Sequence, residues 1–298
     1  MKDKRDPAAR AAGLPFWSGK VTPVPLEGGI TNTNFVVEDS RGRFFVRIGN
    51  DIPLHGVMRF NELTAARAAA AVGLSPEVVY AEPGVMVTPF IEGRTWAPAD
   101  VADPANLQRV VALIRRCHFE MPQHVHGPVL MFWVFHVLRD YAATLRAGAS
   151  RHLDRLPALL DRAAKLEAAV GPIDVVFGHN DLLAANFIDE GKRLWLVDWD
   201  YAGFNSPLFD LANVASNNEF SGDHETALLA AYLGAPPEAA FVRRFAAMKC
   251  ASLLRETMWS MVSEIHSAID FDFAAYSAEN LARFERAVGA FEQGHGPL

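Results

Sequence analysis

Hydrophobic and polar positions change rhythm twice along the chain. From Thr22 the apolar residues fall in short extended runs, Phe35 to Val37 and Phe44 to Ile48, on either side of Asp39-Ser40-Arg41-Gly42. Two such runs around polar turn residues predict a β-hairpin. Residues 58–72 are rich in Ala, Leu, Glu and Arg and end at Gly73, which predicts a helix with a glycine stop. Val78 to Tyr80 and Val85 to Thr88 flank Pro83-Gly84 and predict two more strands. Asp103-Pro104 then sets an N-cap with proline at the first helical position, and Leu107, Val110, Val111 and Ile114 follow at helical spacing. Helical patterns run on over 131–147 and 152–170, with Gly171 closing the second. The rhythm breaks again over 174–198, where Val175 to Phe177, Asn186 to Ile188 and Leu194 to Val197 are β-like and Glu190-Gly191 turns between the last two. From about Asp210 the pattern is helical to the end.

This order predicts an α+β protein of two lobes. Residues 1–90 form a β-rich N-lobe with one helix, and residues 91–298 form a mainly helical C-lobe carrying a β-hairpin. A chain of 298 residues, half of them hydrophobic, is long enough to bury the cores of two lobes. The formal net charge of −7 argues against a nucleic-acid backbone binder. The only cysteines, Cys117 and Cys250, form no CxxC pair, so reduced thiols are expected rather than a disulfide framework or a zinc knuckle. The first thirteen residues are charged and lack an apolar stretch, and no run of 18 apolar residues occurs. No secretory signal and no membrane insertion are therefore expected, and the expected compartment is the cytoplasm.

Candidate chemistry concentrates in GHNDLLAANFIDEGKRLWLVDWD, residues 178–200. Asp181 follows a β-run, Asn186 comes five residues later, and Asp198 ends the strand that returns from the Glu190-Gly191 turn. A hairpin of this length brings its ends together, so the three side chains can share one site. Phosphoryl transfer needs such a set. A carboxylate orients the attacking hydroxyl and takes its proton, and a second carboxylate with an amide oxygen suits Mg²⁺, a cation that keeps several waters. His179 reads as a buried brace of the loop. Upstream, LEGGITNTNFVV (26–37) is a turn rich in glycine and hydroxyl groups. The backbones of Gly28 and Gly29 can approach phosphate oxygens closely, and Thr31, Asn32, Thr33 and Asn34 add donors.

HNDLLAAN followed by LVDWDYAG resembles the catalytic loop and metal-binding aspartate of the choline/ethanolamine kinase family, within the aminoglycoside phosphotransferase and protein-kinase-like superfamily. The likeness extends from about residue 26 to the last helix. It implies a two-lobed protein-kinase-like fold, ATP and Mg²⁺ as cofactors, Asp181 as base, and Asn186 and Asp198 as metal ligands. GGITN resembles the loop that covers the nucleotide. Arg47, in FFVRIGND, occupies the place of the kinase strand lysine, with Glu62 on the following helix to hold it. MVTPFIEGR resembles the interlobe hinge, which implies that backbone near Phe90 and Ile91 meets adenine. Asp210 is expected to cap the next helix and steady the catalytic loop.

Substrate features also resemble this family. Asp200, Tyr201, Asn213 and Glu219 match positions after the metal aspartate, and Trp259 and Tyr276 match its last helices. Tyr201, Trp259 and Tyr276 are expected to wall a cationic head group through cation–π contacts, with Glu219 adding charge. The family often has two tryptophans three apart here. Glu256 replaces the first, which weakens an aromatic cage and suits a primary ammonium. The implied acceptor is the hydroxyl of a small amino alcohol, choline or ethanolamine. Thiamine, an aminoglycoside or a macrolide remain alternative acceptors, and a non-catalytic nucleotide-binding protein of the same fold remains a different class.

Overall fold

The computed structural model describes residues 6–26, 32–267 and 269–298. Helix α1 (Pro7–Ala12) precedes strands β1 (Val24–Leu26), β2 (Thr33–Asp39) and β3 (Gly42–Ile48); helix α2 (Arg59–Ala71) then leads to β4 (Tyr80–Glu82) and β5 (Val85–Pro89). The strands form one antiparallel sheet in the order β1-β2-β3-β5-β4. The expected hairpin is β2–β3, with Asp39 opposite Gly42 at its turn. Strand period two sorts the side chains by face. Phe44, Val46 and Ile48 pack with Phe35, Val37, Val85 and Val87 into a core that Ala11 and Leu14 complete. The other face presents Phe45, Arg47, Met86 and Thr88 to a cleft.

The chain then passes through β6 (Arg94–Thr95), α3 (Pro98–Val101), α4 (Leu107–Phe119), α5 (Val134–Ala147) and α6 (Leu156–Val170). Next come β7 (Val176–Gly178), β8 (Phe187–Asp189), β9 (Leu194–Leu196) and β10 (Gly203–Asn205). Helices α7 (Pro207–Asn217), α8 (Gly222–Leu233), α9 (Ala239–His266) and α10 (Phe273–His295) complete the C-lobe. Strands β8 and β9 are the expected second hairpin, extended by β6, while β10 pairs with β7. Helix α9 runs through the centre of this lobe, packed against α5, α6, α7 and α10. It is buried on nearly every side from Ala247 to Ser263, which explains why its apolar residues show no single stripe.

Of the local detail, one expected cap is present, one is corrected, and two short strands are additions to the sequence reading. Asp103 does cap, accepting from the Ala105 N–H at 2.9 Å, but the first turn, Pro104–Asn106, is a 3₁₀ helix. Asp210 does not cap α7; Ser206 does, accepting from the Leu208 N–H. Strands β6 and β10 have two and three residues, too few for a period to be read. Among the described residues no helix is long and apolar enough to cross a membrane.

Candidate active site

The catalytic loop leaves β7 and is fixed from below by buried polar groups. The Asp210 carboxylate accepts from the backbone N–H of His179 at 2.8 Å and of Asn180 at 2.7 Å, and meets His118 Nε2 at 3.0 Å. Burial works to raise the Asp210 pKa, but hydrogen bonding and charge from His118 outweigh it and hold the group low. Asn180 sits at φ 65°, in the left-handed region that asparagine tolerates. Its Nδ2 donates to the Tyr201 carbonyl at 3.0 Å. A Cβ at Gly178 would lie 2.7 Å from Asn180 Oδ1, so only glycine fits before the turn. His179 is the expected brace: Nε2 donates to the Val197 carbonyl at 3.0 Å and Nδ1 accepts from the Asp181 N–H at 3.3 Å. Burial lowers its pKa and keeps it neutral. Asn213 Oδ1, on α7, accepts from the Leu182 N–H at 2.6 Å, and Asn218 Nδ2, at the C-cap of α7, donates to the Leu182 carbonyl at 3.1 Å.

This scaffold brings Asp181, Asn186 and Asp198 together. Asn186 Nδ2 donates to the Asp181 carbonyl at 2.8 Å, and the Val197 N–H donates to the Asn186 carbonyl at 3.0 Å. Asp198 has φ 69°, a strained placement for a non-glycine residue of the kind found at functional sites. Burial pushes the Asp181 carboxyl up to about 7, with Arg255 opposing and Glu256 and Asp198 reinforcing the rise. Enclosure in the cleft, together with Asp200, pushes Asp198 up to about 6. Asp198 is nevertheless exposed to cleft solvent, which softens that effect. The donor set fits Mg²⁺. Asn186 has its amide nitrogen committed to Asp181, which leaves the hard Oδ1 for a cation, and Asp198 adds a crowded carboxylate.

Above these groups lies a cleft of about 390 Å³, lined by Asn34, Arg47, Met86, Phe90, Ile91, Asn186 and Asp198 among others. Arg47 Nη2 reaches Glu62 Oε2 at 2.6 Å, the pair expected from the sequence. Both are buried. Burial lowers Arg47 and raises Glu62, yet two guanidiniums on one carboxylate favour the ionised pair. The second is Arg59, which bonds Glu62 Oε2 at 2.7 Å and Asp200 Oδ1 at 2.6 Å. Sequence reasoning missed Arg59. Its one signal is a cation in the first turn of α2, where the helix dipole disfavours it unless a tertiary partner exists.

The structure also revises the substrate residues. Asp200, expected at the substrate, is buried in this ion network, with Asn32 Nδ2 at 3.4 Å. Asn32 Oδ1 also meets Arg47 Nη1 at 3.4 Å, and a Cβ at Gly49 would collide with it. Thr33 is exposed and begins β2, and Asn34 pairs with Arg47 across β2–β3. Gly28, Gly29 and Thr31 lie outside the described residues. The Phe90 N–H is committed to the Arg43 carbonyl at 3.0 Å, so it is not a donor for adenine; its ring lies under the Arg43 guanidinium. Tyr201 and Trp259 are both buried, and the indole N–H donates to the Tyr201 hydroxyl at 3.0 Å. The Tyr276 hydroxyl donates to Glu256 Oε1 at 2.8 Å. Glu219 is exposed at φ 54°, beside Asn218. Arg255, not singled out in the sequence, stands 4.0 Å from Asp181 Oδ1 and 3.0 Å from Glu256 Oε2.

Comparison with known proteins gives the family. A family model described as choline/ethanolamine kinase matches residues 24–233. Protein LicA of Haemophilus influenzae is 29% identical over 220 residues, covering 70% of this chain and 62% of its own length. Ethanolamine kinase 2 of Mus musculus is 27% identical over 300 residues, covering 88% of this chain and 75% of its own. A solved choline/ethanolamine kinase family protein from Mesorhizobium loti superimposes with a TM-score of 0.77 at 29% identity, covering 96% of each chain. With the match spanning both the sheet that carries Arg47 and the loop that carries Asp181, Asn186 and Asp198, the chain belongs to the choline/ethanolamine kinase family.

Proposed function

We propose that this chain transfers the γ-phosphate of ATP to the hydroxyl of a small amino alcohol of the choline or ethanolamine class. The observation that carries the reading is the convergence of Asp181, Asn186 and Asp198 on one platform beneath the Arg47–Glu62 pair. In the cleft, Arg47 with Asn32 and Asn34 would hold the phosphates of ATP, and the chain at Ile91 would meet its base. Bound Mg²⁺, held by Asn186 and Asp198, supplies charge neutralisation at the phosphates. Arg47 offers a fixed guanidinium to the phosphate oxygens, and Glu62 with Arg59 fixes its place. Asp181 accepts a hydrogen bond from the acceptor hydroxyl, aims its oxygen at the γ-phosphorus, and takes its proton as the new O–P bond forms and ADP departs. His179 and Asp210 hold the loop and exchange no proton with substrate.

Incubation with Mg²⁺-ATP and ethanolamine or choline, followed by ³¹P NMR, tests the reading. Growth of a phosphomonoester signal of the amino alcohol, matched by ADP, supports it. Phosphomonoester formed only on thiamine, an aminoglycoside or a macrolide would keep the kinase and overturn the acceptor class.

A further inference from the structure

Arg255 is held the way a protein holds an organic cation. The residue is 2% exposed. Its Cζ lies 4.4 Å from the centroid of Tyr201 and 5.8 Å from that of Phe132. Nη1 is shared between Glu256 Oε2 at 3.0 Å and Asp181 Oδ1 at 4.0 Å. Nε and Nη2 are buried and find no hydrogen-bond partner among the described residues. A buried guanidinium usually spends its donors on oxygens. Here the flat group rests against an aromatic face, the seat a substrate ammonium would need.

The indole of Trp259 is also committed. Trp259 is tied to Tyr201 through its N–H, and its ring packs against His55 at 5.2 Å and Phe273 at 6.1 Å. What stays beside the catalytic aspartate is carboxylate. Arg255 approaches one oxygen of each carboxyl, Glu256 Oε2 and Asp181 Oδ1, which leaves Asp181 Oδ2 and the second lone pairs of Glu256 to receive the N–H groups of one further cation. A quaternary ammonium donates no hydrogen bond and needs aromatic faces. A primary ammonium donates to carboxylate oxygens and needs none.

We propose that Arg255 is a specificity-determining residue: by filling the aromatic seat on Tyr201 with the protein's own cation, it turns the acceptor site toward primary ammonium groups and against quaternary ones. The inference rests on the amino-alcohol reading of the same site and specifies which nitrogen that site admits.

The test is titration calorimetry with methylammonium and tetramethylammonium, on the unmodified protein and on R255M, R255Q and R255M/Y201L. The unmodified protein should bind methylammonium at least about tenfold more tightly. R255M and R255Q should gain about tenfold in tetramethylammonium affinity, the scale of one cation–π contact, and R255M/Y201L should lose that gain. In kinetics, the ethanolamine-to-choline ratio of kcat/KM should fall by a similar factor in R255M. A merely structural Arg255 would lower both affinities together. Tetramethylammonium bound as tightly as methylammonium by the unmodified protein overturns the proposal without any variant, as does a gain in R255M that survives Y201L. The binding order needs no turnover. Absence of phosphorylation with the order intact therefore sinks the proposed function alone.

Discussion

Removing the Glu62 carboxylate isolates what the ion network above the cleft contributes. Glu62 is 2% exposed and receives Arg47 at 2.6 Å and Arg59 at 2.7 Å. In E62A, Arg59 keeps Asp200, while Arg47 keeps only its 3.4 Å contact with Asn32 Oδ1 among these bonds. Two guanidiniums then share a dry site with one carboxylate. Breaking a buried pair by deleting one partner costs about 3–5 kcal/mol, because it strands a charge. Against a total stability of about 5–15 kcal/mol, that is a large fraction. At roughly 2–4 °C per kcal/mol for a chain of this order of size, the melting temperature should drop by about 10 °C. ATP affinity should fall as well, because Arg47 loses the carboxylate that fixes its direction. Replacing both partners, R47M/E62L, should recover much of the stability, since no charge is stranded, but none of the ATP affinity. Differential scanning calorimetry and ATP titration on the three proteins check this. E62A melting within about 2 °C of the parent, with unchanged ATP binding, would refute the reasoning.

Other expectations follow from the same geometry. D181N should lower kcat by about 10²–10⁴-fold and leave ATP binding nearly intact, checked by steady-state kinetics and nucleotide titration. Because burial raises Asp181 to about 7, the acid limb of kcat/KM should fall near neutrality rather than near pH 4, and a pH–rate profile flat from pH 5 to 8 contradicts this. The same shift has a stability sign. The folded carboxyl holds a proton that the unfolded one, at 3.8, has lost, so stability declines as pH rises from about 4 to 7. D181N should therefore melt higher than the parent at pH 8 and level with it at pH 4. D210A strands two buried backbone N–H groups at about 1–3 kcal/mol each and should depress both melting temperature and kcat; unchanged kcat would show that the loop holds itself.

What the sequence disclosed was local. The β2–β3 hairpin and the β8–β9 hairpin were legible because turn residues and alternation lie within a dozen positions of one another. Asp181, Asn186 and Asp198 were legible because they are close in sequence and the second hairpin turns back beside the loop that carries Asp181. Arg47 and Glu62 were paired through family likeness, and the period of β3, which turns Arg47 away from Val46, agrees with it. The supports came from afar and left no local trace. Arg59 meets Asp200 across 141 positions, and the His118–Asp210 contact spans 92. Asp210 was misassigned as a cap because acidic residues in a first helical turn serve the dipole equally well, and here its oxygens turn to the catalytic loop. Tyr201 and Trp259 were correctly placed near one another, but their use as an open cage depended on Arg255, which lies on the same helix as Trp259 and takes the face of Tyr201.

The measurement that bears most directly on the central claim is ADP release, coupled to NADH oxidation, with Mg²⁺-ATP and an acceptor panel of ethanolamine, choline, thiamine and aminoglycosides, run in parallel on the unmodified protein and D181N. The account predicts release that requires both Mg²⁺ and an amino alcohol and that disappears in D181N while ATP still binds. Release that ignores the amino alcohol, or that persists at full rate in D181N, would contradict it.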